Sequence, residues 1–180
     1  MVTLSRRYRY IGPAEILAGI TPDDAGTPIT APRDFAGWVS TVPAPDLAEP
    51  FTFVVDLDGV LRLAPRRSEH VACAAGRDVL GAGEIAFVRQ PPDEAGAGRL
   101  GWRVDEVSNQ STGYCPDLDS WPAVAAALDR AGLAHPDGFT AGFVFRRCPD
   151  CHQCNVVRDD DFVCALCGAD LPERWNLDSG

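Results

Sequence analysis

Two C-x-x-C pairs, Cys148 with Cys151 and Cys164 with Cys167, stand twelve residues apart near the C-terminal end of this chain, and they constrain its folding more than any other feature. A C-x-x-C turn aims two sulfurs at one point, and two such turns supply the tetrahedral thiolate set that zinc prefers. A closed set of four leaves no position for water or substrate, so the expected Zn2+ is structural and contributes folding free energy. Between the turns, Asn155-Val156-Val157 reads as a strand, Asp159-Asp160-Asp161 as its turn and Phe162-Val163 as the returning strand, which is the pattern of a zinc ribbon. Cys154 adds an ambiguity, because Cys151 and Cys154 also form a C-x-x-C pair around His152. Pro149 stiffens the first turn and Phe143-Val144-Phe145 leads into it as a strand, which favours Cys148 with Cys151 and leaves the Cys154 pairing as the alternative. A disulfide framework is the weaker reading, because seven cysteines cannot all pair and Met1 to Tyr10 does not read as a secretory leader.

With 180 residues and 46% hydrophobic content, the chain can bury one ordinary core and carry a small metal-stapled appendage. No apolar run approaches bilayer-spanning length, so a cytoplasmic location without membrane association is expected. The formal net charge is −10, and Cys148 to Gly180 holds seven acids, Asp150, Asp159, Asp160, Asp161, Asp170, Glu173 and Asp178, against Arg158 and Arg174. Nucleic-acid binding through the ribbon is therefore unfavoured, since phosphate backbones need a basic face. Arginines gather at Arg6, Arg7 and Arg9, and again at Arg62, Arg66 and Arg67, leaving room for a local anion site beside the simpler reading of solvated surface side chains. All sixteen basic residues are arginine, which excludes lysine Schiff-base chemistry and a P-loop lysine.

The chain divides into an irregular lead-in packed on the core (1–50), a core domain (51–142) and the ribbon (143–180). In the lead-in, Pro13 opens a short helix through Leu17 and Asp34 caps another through Val39. From Phe51 the pattern turns to short strands: Phe51 to Val55 and Val60 to Leu63 flank an Asp58-Gly59 turn, and Glu84 to Arg89 pairs with Trp102 to Val107 across a Pro- and Gly-rich loop, Gln90 to Gly101. A helix follows, capped by Ser120, with Pro122 in its first turn, Trp121, Val124, Ala125 and Leu128 on one face, and Gly132 at its end. The expected fold class is α+β: an antiparallel meander with few short helices and a C-terminal zinc ribbon.

Val54 to Leu61 matches the first motif of haloacid-dehalogenase-like phosphatases, with Asp56 and Asp58 in the nucleophile and acid positions, but the strand alternation after Gly59 and the absence of lysine favour a plain hairpin turn. A second concentration of polar residues is Arg67-Ser68-Glu69-His70, then Ala82-Gly83-Glu84, then Ser108 to Tyr114. If the sheet gathers them, they form a pocket in which His70 acts as acid or base, Glu84 as its partner and Arg67 as an anion clamp. Tyr114, Ser68, Asn109 and Ser111 would then orient a polar substrate. The competing reading makes His70 a satisfied structural histidine and Ser108 to Gly113 a hydrogen-bonded turn. Cys73 and Cys115 with His70 and His135 form a weaker second metal candidate.

Through Arg62 to His70, Ala82-Gly83-Glu84, Val107 to Pro116 and Phe162 to Asn176, the chain resembles a family of uncharacterised bacterial proteins with a C-terminal zinc ribbon. More distantly, Ser68-Glu69-His70, Ala82-Gly83-Glu84 and Ser111 to Pro116 are similar to an ordered series in plant IQ-motif calmodulin-binding proteins and in C-terminal domains of some bacterial toxins and effectors. Thr112-Gly113-Tyr114 stands where that series has glycine-histidine-tyrosine, and no IQ motif is present, so calmodulin binding does not carry over. The resemblance implies a related β-rich module with an equivalent pocket. Taken together, the sequence points first to a zinc-ribbon protein that binds a partner protein or a small polar ligand. An enzyme acting on a nucleotide-like or other polar substrate comes second.

Overall fold

In a computed structural model, which describes residues 5–91 and 101–177, five antiparallel strands form one sheet and two more form a separate ribbon. The sheet contains β1 (Thr27–Ile29), β2 (Phe51–Asp56), β3 (Leu61–Ala64), β4 (Val79–Arg89) and β5 (Trp102–Val107). The ribbon contains β6 (Val144–Arg147) and β7 (Cys154–Val157). Four helices accompany them: α1 (Ala14–Ala18), α2 (Pro32–Thr41), α3 (His70–Cys73) and α4 (Trp121–Arg130). The α+β class and the antiparallel sheet follow the sequence expectation. Residues 92–100 of the Pro- and Gly-rich loop lie outside the described residues, as does Asp178.

The strand order β1-β3-β2-β4-β5 departs from a strict meander at two steps, β1 to β2 and β3 to β4. β2 pairs with both β3 and β4, so the chain leaving β3 passes over β2 through α3 before entering the sheet again as β4. Two expected hairpins are thus joined side by side. The lead-in also contributes an edge strand, Thr27–Ile29, where the sequence reading placed no strand. Three residues are too few to show alternation, and Pro28 suits an outer edge because it cannot donate to a neighbour.

Period-two alternation sorts the sheet's side chains into two apolar layers. Phe51, Phe53 and Val55 of β2 face Phe35 of α2 and Val124, Ala127 and Leu128 of α4. Val54, on the opposite face, meets Val71 and Cys73 of α3 together with Tyr8 and Tyr114. With both faces covered, all six residues of β2 are buried. Full burial of a side chain such as Phe53 is worth about 1.5–3 kcal/mol.

Two helix ends differ in detail from expectation. Ser120 holds the N-cap position of α4 as expected, but its side chain makes no capping bond: it ends a 3-10 turn, Leu118–Ser120, and its hydroxyl donates to the Asp117 carbonyl. Ala31 rather than Asp34 is the N-cap of α2; the Asp34 carboxylate sits in the first turn and accepts from the Thr30 and Ala31 amides. Gly132 does end α4, at φ +72°: Leu133 donates to the Leu128 carbonyl and Gly132 to that of Asp129, a Schellman closure. On α4 itself Ala127 is buried, whereas Ala125 is only partly so.

Candidate metal centre

The expected ribbon is present, but its main pairing lies on the other side of the first turn. β7 pairs with β6 from Arg147↔Cys154 to Val144↔Val157, and only single bridges, Arg158↔Asp161 and Val163↔Asp170, mark the stretch read as a returning strand. Asp159 and Asp160 both take positive φ, 52° and 56°, closing a tight turn of the type that reverses a hairpin in two residues.

Each C-x-x-C pair is a knuckle built by the same two backbone bonds. Cys148 accepts at its carbonyl from the His152 amide (3.0 Å) and donates to the Gln153 carbonyl (2.9 Å); Cys164 does the same with Gly168 (2.9 Å) and Ala169 (2.8 Å). The fifth residue of each knuckle is therefore driven into the left-handed region, His152 at φ 61° and Gly168 at φ 76°.

The two knuckles face each other. Cys148 Sγ lies 3.6 Å from Cys167 Sγ, and Cys151 Sγ lies 3.5 Å from Cys164 Sγ. All four sulfurs fall within 4.8 Å of one another. A tetrahedral zinc with bonds of about 2.3 Å separates its sulfurs by about 3.8 Å, so the donor set fits that ion. A disulfide requires about 2.05 Å, and all seven cysteines are free. The four thiols lie close enough to hold a metal ion.

Neighbouring donors are aimed at the sulfurs. The backbone amide of Cys167, followed by that of Leu166 and the side chains of Cys151 and Asn155, brings the Cys164 thiol down to about 6 against an opposing effect of burial. The Asn155 carboxamide joins the knuckles: Nδ2 donates to the Gln153 carbonyl (2.9 Å) and toward Cys164 Sγ (3.5 Å), and Oδ1 accepts from the Ala165 amide (3.0 Å). The sequence reading used Asn155 only as a strand position and did not anticipate this bridge between the knuckles.

Cys154, the fifth cysteine, stands away from this cluster. Its Sγ is 3.4 Å from Cys115 Sγ, in a small apolar seam with Phe145, Leu177 and Trp175 that joins ribbon to core. Two asparagines hold this region, Asn109 across the seam and Asn176 within the ribbon segment. Asn109 accepts from the Phe143 amide (2.7 Å) and donates to the Phe143 and Pro116 carbonyls. Asn176 pairs in the same way with the backbone of Arg147, at 2.9 and 2.8 Å. The Arg146 guanidinium, 7% exposed, donates to the carbonyls of Phe145, Pro172 and Glu173 and ties the end of the chain to β6.

The other candidate residues are engaged individually. Glu84, Arg67 and Tyr114 line three different cavities. His70 Nε2 lies 2.9 Å from the Gly83 carbonyl, and burial lowers its pKa from 6.5, with that carbonyl and Glu84 opposing. The Tyr114 hydroxyl donates to the Arg77 carbonyl, and Ser111 Oγ accepts from the Tyr114 amide. Ser68 contributes its carbonyl to the Thr52 hydroxyl. Asn109 is spent on the ribbon seam, as described. Gly83 has a packing reason of its own: a Cβ there would lie 1.9 Å from the Ser108 carbonyl oxygen, so the Ala82-Gly83-Glu84 signal marks a close backbone crossing.

Asp56 is likewise committed to structure. Oδ1 accepts from the Asp58 and Val60 amides at 3.0 Å each, and Oδ2 accepts from Arg62 Nε at 2.8 Å, which builds the hairpin turn in place of a nucleophile. The second metal candidate does not assemble: Cys73 is buried against the Arg62 carbonyl, Cys115 meets Cys154, and His135 contacts Pro136 and Asp129. Among the described residues, the four ribbon cysteines are the one cluster able to hold a metal, and no helix is long and apolar enough to cross a membrane.

No family model, curated protein or solved structure matches this chain. The class is therefore defined by the fold and the site together: an α+β sheet domain to which a ribbon is docked whose four cysteine sulfurs lie close enough to hold a metal ion.

Proposed function

We propose that this protein is a zinc-ribbon adaptor, in which Zn2+ held by Cys148, Cys151, Cys164 and Cys167 fixes a docking surface for a partner protein. The observation that carries this reading is Leu166, which stands 70% exposed at the tip of the second knuckle between two metal ligands. A large aliphatic side chain held in water on a turn fixed by metal gains by burial against a partner. Val156 and Val163, 38% and 43% exposed, extend the apolar character of the ribbon. Asp159, Asp160 and Asp161, exposed on the same ribbon, give it negative charge, so the partner presents an apolar recess with arginine or lysine near it. Zinc supplies rigidity, since four thiolates leave it no open position for chemistry.

Two measurements test the proposal. Elemental analysis should find about one zinc per chain in wild type and in Cys154→Ser, and a loss of most of it in Cys148→Ser. Cross-linking and enrichment should then recover a protein with the wild type that the Val163→Ser/Leu166→Ser double variant, still zinc-loaded, fails to recover. Equal recovery by that variant would refute the docking surface.

A further inference from the structure

The arginines near the N-terminal end reach a cavity that the ribbon completes. Tyr8 bridges to Val79 through backbone bonds of 2.8 and 3.0 Å, so the chain there is extended and Arg7 and Arg9, two apart, project to the same side. They line a cavity of about 130 Å3 with Asp78 and Tyr114 of the core and Arg147, Trp175 and Leu177 of the ribbon segment. In a chain of net charge −10, three guanidinium groups converging with a single carboxylate is a local reversal of sign.

That carboxylate does not neutralise them. Asp78 lies 3.8 Å from Arg7 Nη1, a long contact to an arginine whose side chain is 65% exposed. Among the described residues Arg9 forms no ion pair, and the Arg147 side chain makes one hydrogen bond, from Nη1 to the His152 carbonyl at 3.4 Å. The Nε of Arg147 is buried and has no hydrogen-bond partner among the described residues. A buried cationic donor left without an acceptor costs stability unless a ligand supplies one.

We propose that Arg7, Arg9 and Arg147 bind the phosphate group of a small molecule at this seam between core and ribbon. Three cations less one carboxylate leave two positive charges, which matches a phosphate dianion better than a monocarboxylate. Guanidinium forks pair with phosphate oxygens in bidentate fashion. The cavity holds roughly four waters at about 30 Å3 each, room for a phosphate but not for a whole nucleotide, so the remainder of the ligand extends outward past Trp175.

The test is isothermal titration of inorganic phosphate into the zinc-loaded, full-length chain at low ionic strength, with acetate as the competing anion. Saturable phosphate binding at least fivefold tighter than acetate is expected. Arg9→Gln should weaken it about fivefold or more, and Arg7→Gln/Arg9→Gln should abolish it, while Arg33→Gln, on the exposed start of α2, should leave it unchanged. Both variants alter exposed side chains and keep the ribbon and its zinc intact, which metal analysis confirms. Absence of saturable phosphate binding up to about 10 mM, acetate binding as tight as phosphate, or a double variant that binds like wild type would each overturn the assignment.

Discussion

Asn155→Ala should loosen the metal without removing a ligand. The carboxamide, 7% exposed, makes one contact to a ligand sulfur and two to backbone groups, one in each knuckle. A hydrogen bond to a charged acceptor is worth about 1.5–3 kcal/mol and one to a neutral acceptor about 0.5–1.5 kcal/mol, so the three together set a ceiling of roughly 6 kcal/mol. Water reaches the freed Gln153 carbonyl and Ala165 amide near the surface and recovers part of this. Side chains that orient metal ligands typically contribute 10–100-fold in metal affinity, or about 1.4–2.7 kcal/mol, and that is the expected loss. Competition against a chromophoric chelator at neutral pH reads the zinc dissociation constant directly, while elemental analysis should still find about one zinc per chain without chelator. Asn155→Asp should bind more weakly than the alanine variant, because it places a carboxylate beside four thiolates. A dissociation constant within about twofold of wild type for Asn155→Ala, or an aspartate variant as tight as wild type, would refute the idea that the two knuckles are held in register by this amide.

Two further outcomes follow from the core. Gly132→Ala puts a Cβ 2.6 Å from Pro32 Cγ at φ +72°, whereas Gly168→Ala at φ +76° meets nothing within 4 Å. Both carry the left-handed cost of about 1–2 kcal/mol, and only the first adds a clash, so thermal unfolding should show Gly132→Ala clearly the less stable of the two, with roughly 2–4 °C lost per kcal/mol. His70, whose folded pKa lies below 6.5 because burial disfavours its charged form, takes up its proton more readily when unfolded. Stability from this group is therefore full above pH 6.5 and declines as pH falls below it toward the lowered folded value. Denaturant midpoints measured between about pH 5 and 7 should decline less steeply for His70→Gln than for wild type, and parallel curves would contradict the assignment.

The parts of this fold that were legible beforehand are those set by neighbours in the chain. The β2–β3 hairpin follows from Asp56 to Gly59, because the aspartate caps its own turn and glycine takes φ +72° there. α4 was readable from its 3.6-residue periodicity and its terminal glycine. The polar stretch Ser108 to Tyr114 was readable as a hydrogen-bonded turn but its long-range role was not, because those partners are far off in sequence: Asn109 bonds to Phe143 and Tyr114 to Arg77. A run of hydroxyls and amides looks the same whether it lines a pocket or fastens a seam. Only the identity of the opposing groups separates the two.

By itself the sequence determined that four sulfurs would meet, that the surrounding ribbon would be acidic, and that lysine chemistry would be absent, since each is a matter of spacing or composition. Tertiary structure decided the rest: that β3 and β4 flank β2, that Cys154 faces Cys115 instead of the metal cluster, and that Arg7 and Arg9 share a cavity with Arg147. Each of these is a contact between segments whose meeting depends on how the whole core packs, and no local pattern of residues encodes it.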